Sequence, residues 1–302
     1  MRRPIAGRRG RSVRRLLAAV LGLLAVAYLT GPPATAQALP SPRDFVPNLT
    51  LECFATTPYE PPQVTLQLRH LNPVLANVPI GEVVLGPREQ FCAPVLTDQP
   101  GIIPGDVIAY LRYVDLSCYR VKGEAANTKL TLSHLNPVLR SLPKQEIAMA
   151  EPEHLCVPVE KRGAPVPYEV LQLVRHIDLL CYRIEPNEPM ERELAFAHIN
   201  PVLTEAIPYH RVKVLQARQL CAPVLKAGDQ PTPEVLAVVR WIDLERYDIA
   251  TEELKPVPLT IRHINPVLER LPVEELRIYP AHQLAVPVAK NDWFPQEDRT
   301  IP

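Results

Sequence analysis

The chain has 302 residues, with 33 Lys+Arg against 33 Asp+Glu and a formal charge of zero. The balance is uneven along the chain: residues 1–38 hold seven arginines and no acid, which leaves 26 bases against 33 acids in the other 264 residues. An acidic body argues against a nucleic-acid binder. Glycines that never fall two within a G-x-G argue against a phosphate-cradling loop, and 47% apolar content argues against a disordered chain.

The first predicted element is an export signal. A basic stretch precedes a 14-residue apolar run at 16–29, and Ala36-Gln37-Ala38 follows as a small-residue cleavage pattern. The run is short for a membrane span, which needs about 20 apolar residues. The expectation is cleavage near Ala38 and a secreted, periplasmic or cell-envelope protein with no membrane span in the mature chain. Residues 39–47 read as an N-terminal linker, and Asn48-Leu49-Thr50 is a formal glycosylation sequon.

Beyond the linker one unit is written four times. The hexapeptide H-[L/I]-N-P-V-L begins at His70, His134, His198 and His263, at spacings of 64, 64 and 65 residues. Asp115-Leu116-Ser117-Cys118-Tyr119 recurs as Asp178-Leu179-Leu180-Cys181-Tyr182 and, degraded, as Asp243-Leu244-Glu245-Arg246-Tyr247. Cys92-Ala93-Pro94-Val95 recurs at Cys156, at Cys221, and as Ala285-Val286-Pro287-Val288. The repeats run over 48–114, 115–177, 178–242 and 243–302, the last reading as a C-terminal cap. Units this small sit near the lower limit for a self-supporting core. The cysteines suggest the remedy. Three units hold two each, and the fourth has Arg246 and Ala285 at both equivalent positions. Loss of both together predicts intra-unit disulfides Cys53–Cys92, Cys118–Cys156 and Cys181–Cys221. No two cysteines are close enough for the usual C-x₂₋₄-C metal spacing.

Within a unit, period-two alternation such as Leu66-x-Leu68-x-His70 predicts a half-buried strand. Asn-Pro then starts a short helical turn. A second short strand follows, and the Cys-x-Pro-Val segment is expected at a sheet edge because of its proline. Val170, Leu171, Leu173, Val174 and Ile177 fall at helical offsets and are copied in the first and third units, with a long strand as the alternative. The expected fold is mainly β, with β-rich α+β possible: four tandem repeats of about 64 residues, each of about four short strands plus short helical turns, three of them stapled.

Two recurring sets are candidate sites. His70, His134, His198 and His263 could gather around a metal if the units form a ring. Their strand register favours a structural role, each pointing at the core and holding the Asn-Pro turn. Tyr113, His176 and Trp241 sit in equivalent places between an Arg and an Asp three residues apart. They are weak binding candidates for a displayed row, suited to stacking on sugars, and each Arg–Asp pair could bridge locally. Catalysis finds no motif: neither G-x-S-x-G nor H-E-x-x-H occurs. No enzyme activity and no cofactor are expected.

The frame L-x-C-Y-[R/K]-[V/I] followed by [L/F]-C-x-P-V-x-K is carried by residues 116–121 with 155–161 and by 179–184 with 220–226. It resembles a tandem Cys-containing domain of unknown function from secreted bacterial proteins. The usual acidic turn of that family is replaced here by H-[L/I]-N-P, and the last unit lacks both cysteines. The resemblance implies export, repeats and disulfides and transfers no site. The leading expectation is a structural or protein-binding role outside the cytoplasm. Stapled units in a row would offer an extended surface to an unknown extracellular protein or glycan. An extracellular small-ligand or carbohydrate binder is the alternative; a hydrolase or metal-dependent enzyme comes last.

Overall fold

The computed structural model describes residues 39–98 and 101–294. The export signal expected over 1–38 lies outside the described residues. The fold is mainly β, with 50% strand against 15% helix, which decides between the two fold classes left open above. No helix among the described residues is long and apolar enough to cross a membrane.

Residues 39–47, expected as a linker, carry helix α1 (Pro42–Phe45), capped by the Ser41 hydroxyl, with Phe45 buried. The first segment then forms β1 (Thr50–Tyr59), β2 (Thr65–His70), β3 (Glu82–Val84) and β4 (Arg88–Thr97). The second forms β5 (Asp115–Arg120), β6 (Thr128–His134) and β7 (Gln145–Lys161), and the third β8 (Leu179–Glu185), β9 (Pro189–His198) and β10 (His210–Lys226). The fourth forms β11 (Leu244–Ala250), β12 (Val257–His263) and β13 (Glu274–Lys290). Four strands per segment are therefore found only in the first. In the others, the short strand after the Asn-Pro turn runs straight on into the Cys-x-Pro-Val strand, making β7, β10 and β13 17 residues each. The first segment is interrupted at Gly86-Pro87, where a Cβ on Gly86 would lie 2.9 Å from the Arg120 carbonyl oxygen. Its backbone N–H donates to that same oxygen at 2.8 Å.

The helical spacing after each proline-rich linker is realised as α2 (Gly105–Leu111), α3 (Tyr168–Val174) and, beyond α4 (Pro201–Ala206), as α5 (Pro233–Val239). The strand alternative does not form. α4 is the longest of the Asn-Pro turns: the Asn200 side chain accepts from Val202 N at 3.0 Å and Pro201 opens the helix.

The segments do not stand in a row, each with its own core. Antiparallel pairing runs β1–β4–β5–β7–β8–β10–β11–β13 and returns to β1, closing an eight-stranded barrel with two strands from each segment. Closure leaves the barrel without a free edge. The His-bearing strands then cross over. β2 joins β10, with His70 opposite Val224; β9 joins β4, with His198 opposite Val95. β6 joins β13, with His134 opposite Val288, and β12 joins β7, with His263 opposite Val159. The first segment is thus interleaved with the third, and the second with the fourth.

This crossing explains why Cys-x-Pro-Val lies in central strands and not at the expected edge. Each proline stands where one neighbouring strand ends and the His strand begins. Only its carbonyl is used there: Pro94, Pro158, Pro223 and Pro287 accept from Ile199, Ile264, Leu71 and Leu135. The missing N–H falls at the one place in the ladder that does not require it.

Two cores result. Leu51, Leu116, Leu179, Leu244 and all six cysteines pack with α1, α2, α3 and α5. On the opposite face of the same strands lie Phe54, Tyr119, Tyr182 and Tyr247, with Leu68, Leu132, Phe196 and Ile261 of the crossing strands.

Candidate functional site

The cysteines face the lumen. Cys53 is opposite Cys92, Cys118 opposite Cys156, and Cys181 opposite Cys221 in register. These pairs stand at disulfide distance, with S–S of 2.05, 1.98 and 2.03 Å. The sulfurs of Cys92 and Cys118, on adjoining segments, are 3.7 Å apart. The fourth equivalent pair is Arg246 opposite Ala285. Alanine leaves the room that arginine fills.

Arg246 is the clearest departure from the recurring pattern and organises the most polar cluster in the lumen. It is 1% exposed. Its guanidinium donates to Gln219 Oε1 at 2.9 Å and to Gln90 Oε1 on a distant strand of the ring. Bonds of that span are possible only across the interior, which identifies the cysteine face as the inner one. Gln90, His154, Gln219 and Gln283 each stand two residues before a cysteine position, so alternation aims all four inward. They form a connected set. Gln90 donates to Gln283 at 3.0 Å, and Gln219 bonds His154 Nδ1 at 2.9 Å and Glu153. His154 Nε2 meets Glu89 at 2.8 Å. Half-buried Glu89, Glu153 and Asp248 surround this end of the lumen, while the helices occupy the other. Burial pushes the Arg246 guanidinium down to about 10, with Glu153 and Asp248 opposing the shift. Arg246 makes no ion pair within 4 Å among the described residues, and its Nε has no partner. The arrangement is a cation held largely by neutral amides with acids at the rim.

The four repeated histidines are kept apart, each against the aromatic ring of the segment it crosses. His70 Nε2 is 3.0 Å from Tyr182 OH, and His263 Nε2 3.0 Å from Tyr119 OH. His134 Nε2 is 3.3 Å from Tyr247 OH. His198 faces Phe54, which has no hydroxyl, and its Nε2 lies 2.9 Å from Glu52 instead. Burial lowers His70 to about 3 and His134 to about 4. Burial also raises Glu52, but hydrogen bonds from His198 and His210 outweigh it, so the net shift is downward. Among the described residues no group of three or more His, Cys, Asp or Glu forms a metal site.

Tyr113, His176 and Trp241 do not form a displayed row. Trp241 and His176 are each 9% exposed, and Tyr113 is half-buried under its neighbour Arg112. His176 Nδ1 lies 2.9 Å from Asp229, a contact outside the recurring pattern. The Arg–Asp pairs do not bridge either. Asp115, Asp178 and Asp243 turn to Lys161, Lys226 and Lys290 at the far end of the same segment. Sequence reasoning missed these lysines. The signal was available: Lys recurs five residues after the second cysteine position in three segments, and the first has Thr97 there and Thr50 where the others have Asp.

No protein-family model matches the chain, no curated protein matches it, and no solved structure matches its fold.

Proposed function

We propose that this is an exported, disulfide-stapled scaffold with a structural or partner-binding role, built from four copies of one unit. The observation that carries the reading is the barrel itself. All four segments close it, and three cysteine pairs at disulfide distance line its interior. Such pairs persist in oxidising compartments. Together with the lack of a membrane-spanning helix among the described residues, they fit an extracellular location. The polar side chains inside are spent largely on one another, as expected of a rigid support. The resemblance to tandem Cys-containing secreted domains belongs to the same reading.

Fractionation of the producing cells tests it. The protein should be found outside the cytoplasm with a new N-terminus near Ala38 and no free thiol; a cytoplasmic pool of reduced chain would end the proposal. Cross-linking in the native secretion should join the outer strands to a partner or to a second copy.

A glycan-binding reading has one specific observation behind it. Two open grooves of about 430 and 490 Å³ lie at matching hairpins, one over Leu130 and Ile147, the other over Leu259 and Leu276 beside half-exposed Tyr279. An oligosaccharide panel in a thermal-shift assay tests it: stabilisation lost in Tyr279→Ala favours a glycan binder, and no shift favours the scaffold.

A further inference from the structure

Three buried constellations of lysine, aspartate and asparagine recur at the junctions between segments. Lys161 meets Asp115, which accepts from Asn200 Nδ2 at 3.1 Å. Lys226 meets Asp178, which accepts from Asn265 Nδ2 at 2.9 Å. Lys290 meets Asp243, which accepts from Asn72 Nδ2 at 2.6 Å. All nine side chains are between 0 and 3% exposed. Asn200, Asn265 and Asn72 each have Oδ1 held by a backbone N–H two residues on, at 3.0, 3.0 and 2.9 Å.

We propose that these are self-processing sites, in which each lysine forms an amide with the neighbouring asparagine: Lys161 with Asn200, Lys226 with Asn265, and Lys290 with Asn72. The lysine Nζ attacks Asn Cγ, and the oxygen gathers negative charge while bonded to its backbone N–H. The aspartate touches both the nucleophile and the leaving nitrogen. It accepts the proton that Nζ sheds and delivers it to Nδ2. The Cγ–Nδ2 bond breaks, the Nζ–Cγ bond remains, and ammonia leaves. No oxidant, metal or further reactant is required.

The surroundings suit this chemistry better than a lasting ion pair. An ammonium has three N–H donors, and a buried one is costly when they lack partners. The nitrogens of Lys161 and Lys226 have no well-aligned hydrogen bond. An amide leaves a single N–H. Burial lowers the proton affinity of all three lysines and raises that of all three aspartates, Asp178 to about 6. Both shifts favour the neutral amine and the proton-carrying acid that the reaction uses. The fourth junction supplies an internal control. There Asn136 Nδ2 donates to Thr50 at 2.9 Å, and Thr97 takes the lysine position.

The test is mass spectrometry of the full chain, purified from its native secretion, reduced and alkylated. The chain should be lighter than its sequence requires by three ammonia molecules. Proteolysis should yield three branched peptides joining the named residues, with Asn136 in a linear one. Asp115→Asn should abolish the Lys161–Asn200 branch alone, and the two remaining branches would report that the barrel still folds. An unmodified mass overturns the proposal. So does a deficit of water, which would join lysine to aspartate, or a deficit of ammonia with only linear peptides, which would mean succinimides.

Discussion

His70 shows what a buried imidazole does to acid stability. In the unfolded chain its ring takes up a proton as the pH falls through about 6.5, whereas in the barrel it resists until about 3. Its contribution is complete above about 6.5 and shrinks as the pH falls toward 4, because only the unfolded chain then gains the proton. Each unit of displacement is worth about 1.4 kcal/mol. His70→Gln should therefore flatten the loss of stability between pH 7 and pH 4, measured as urea midpoints, and an unchanged acid limb would mean that the ring titrates normally. Tyr182→Phe tests the partner. It strips the hydroxyl from His70 and should cost about 1–3 kcal/mol in urea unfolding. Where Phe54 stands opposite His198, the imidazole nitrogen lies beside Glu52. These histidines were legible as core-facing from alternation alone. Their tyrosine partners were not, since the pairing joins segments more than a hundred residues apart.

At the scale of strands, the pair β11 and β13 is an unfilled staple. Arg246 stands opposite Ala285 in the register that carries the three cysteine pairs. Arg246→Cys with Ala285→Cys should oxidise to a fourth bridge, read as two further hydrogens lost by mass. Closing a loop of this length adds about 4 kcal/mol in the chain-entropy model, reduced by the lost bonds from Arg246 to Gln90 and Gln219. Two free thiols in the purified double variant would show that the pair is misplaced. The cysteine pairs were legible because two positions vanish together in the last segment. The buried lysine and aspartate obey the same rule in the first segment, as Thr97 and Thr50, and the pattern is as readable once the lysine column is compared. The proline in Cys-x-Pro-Val misled because its missing N–H signals an edge, whereas here it marks a change of neighbour inside the sheet.

At the scale of the whole molecule, interleaving makes the segments inseparable. β6 of the second segment pairs with β13 of the fourth, and β9 of the third with β4 of the first. A fragment of the two central segments, 115–242, would expose both crossing strands and the barrel edges of β5 and β10. It should lack dispersed amide signals by NMR, while the full chain unfolds in a single transition. An independently folded fragment would contradict the barrel. This arrangement was not legible in the sequence. The recurring pattern specifies which side chains share a face of each strand and says nothing about which strand lies beside it.

Closing the ring through β1 and β13 also sets an order in time. Synthesis runs from the N-terminus, so β1 is made long before the strand that completes it. Each cysteine meets its partner 38 to 40 residues later, while β1 must wait for nearly the whole chain. Stapling is a local event and closure a global one. A chain oxidised before its last strand is in place would have its cysteine pairs joined while the sheet is still open at both margins. A truncated product that loses its last strand is held at that stage, with the cysteines of β1 and β4 joined and the other margin of β1 free to recruit a neighbouring molecule.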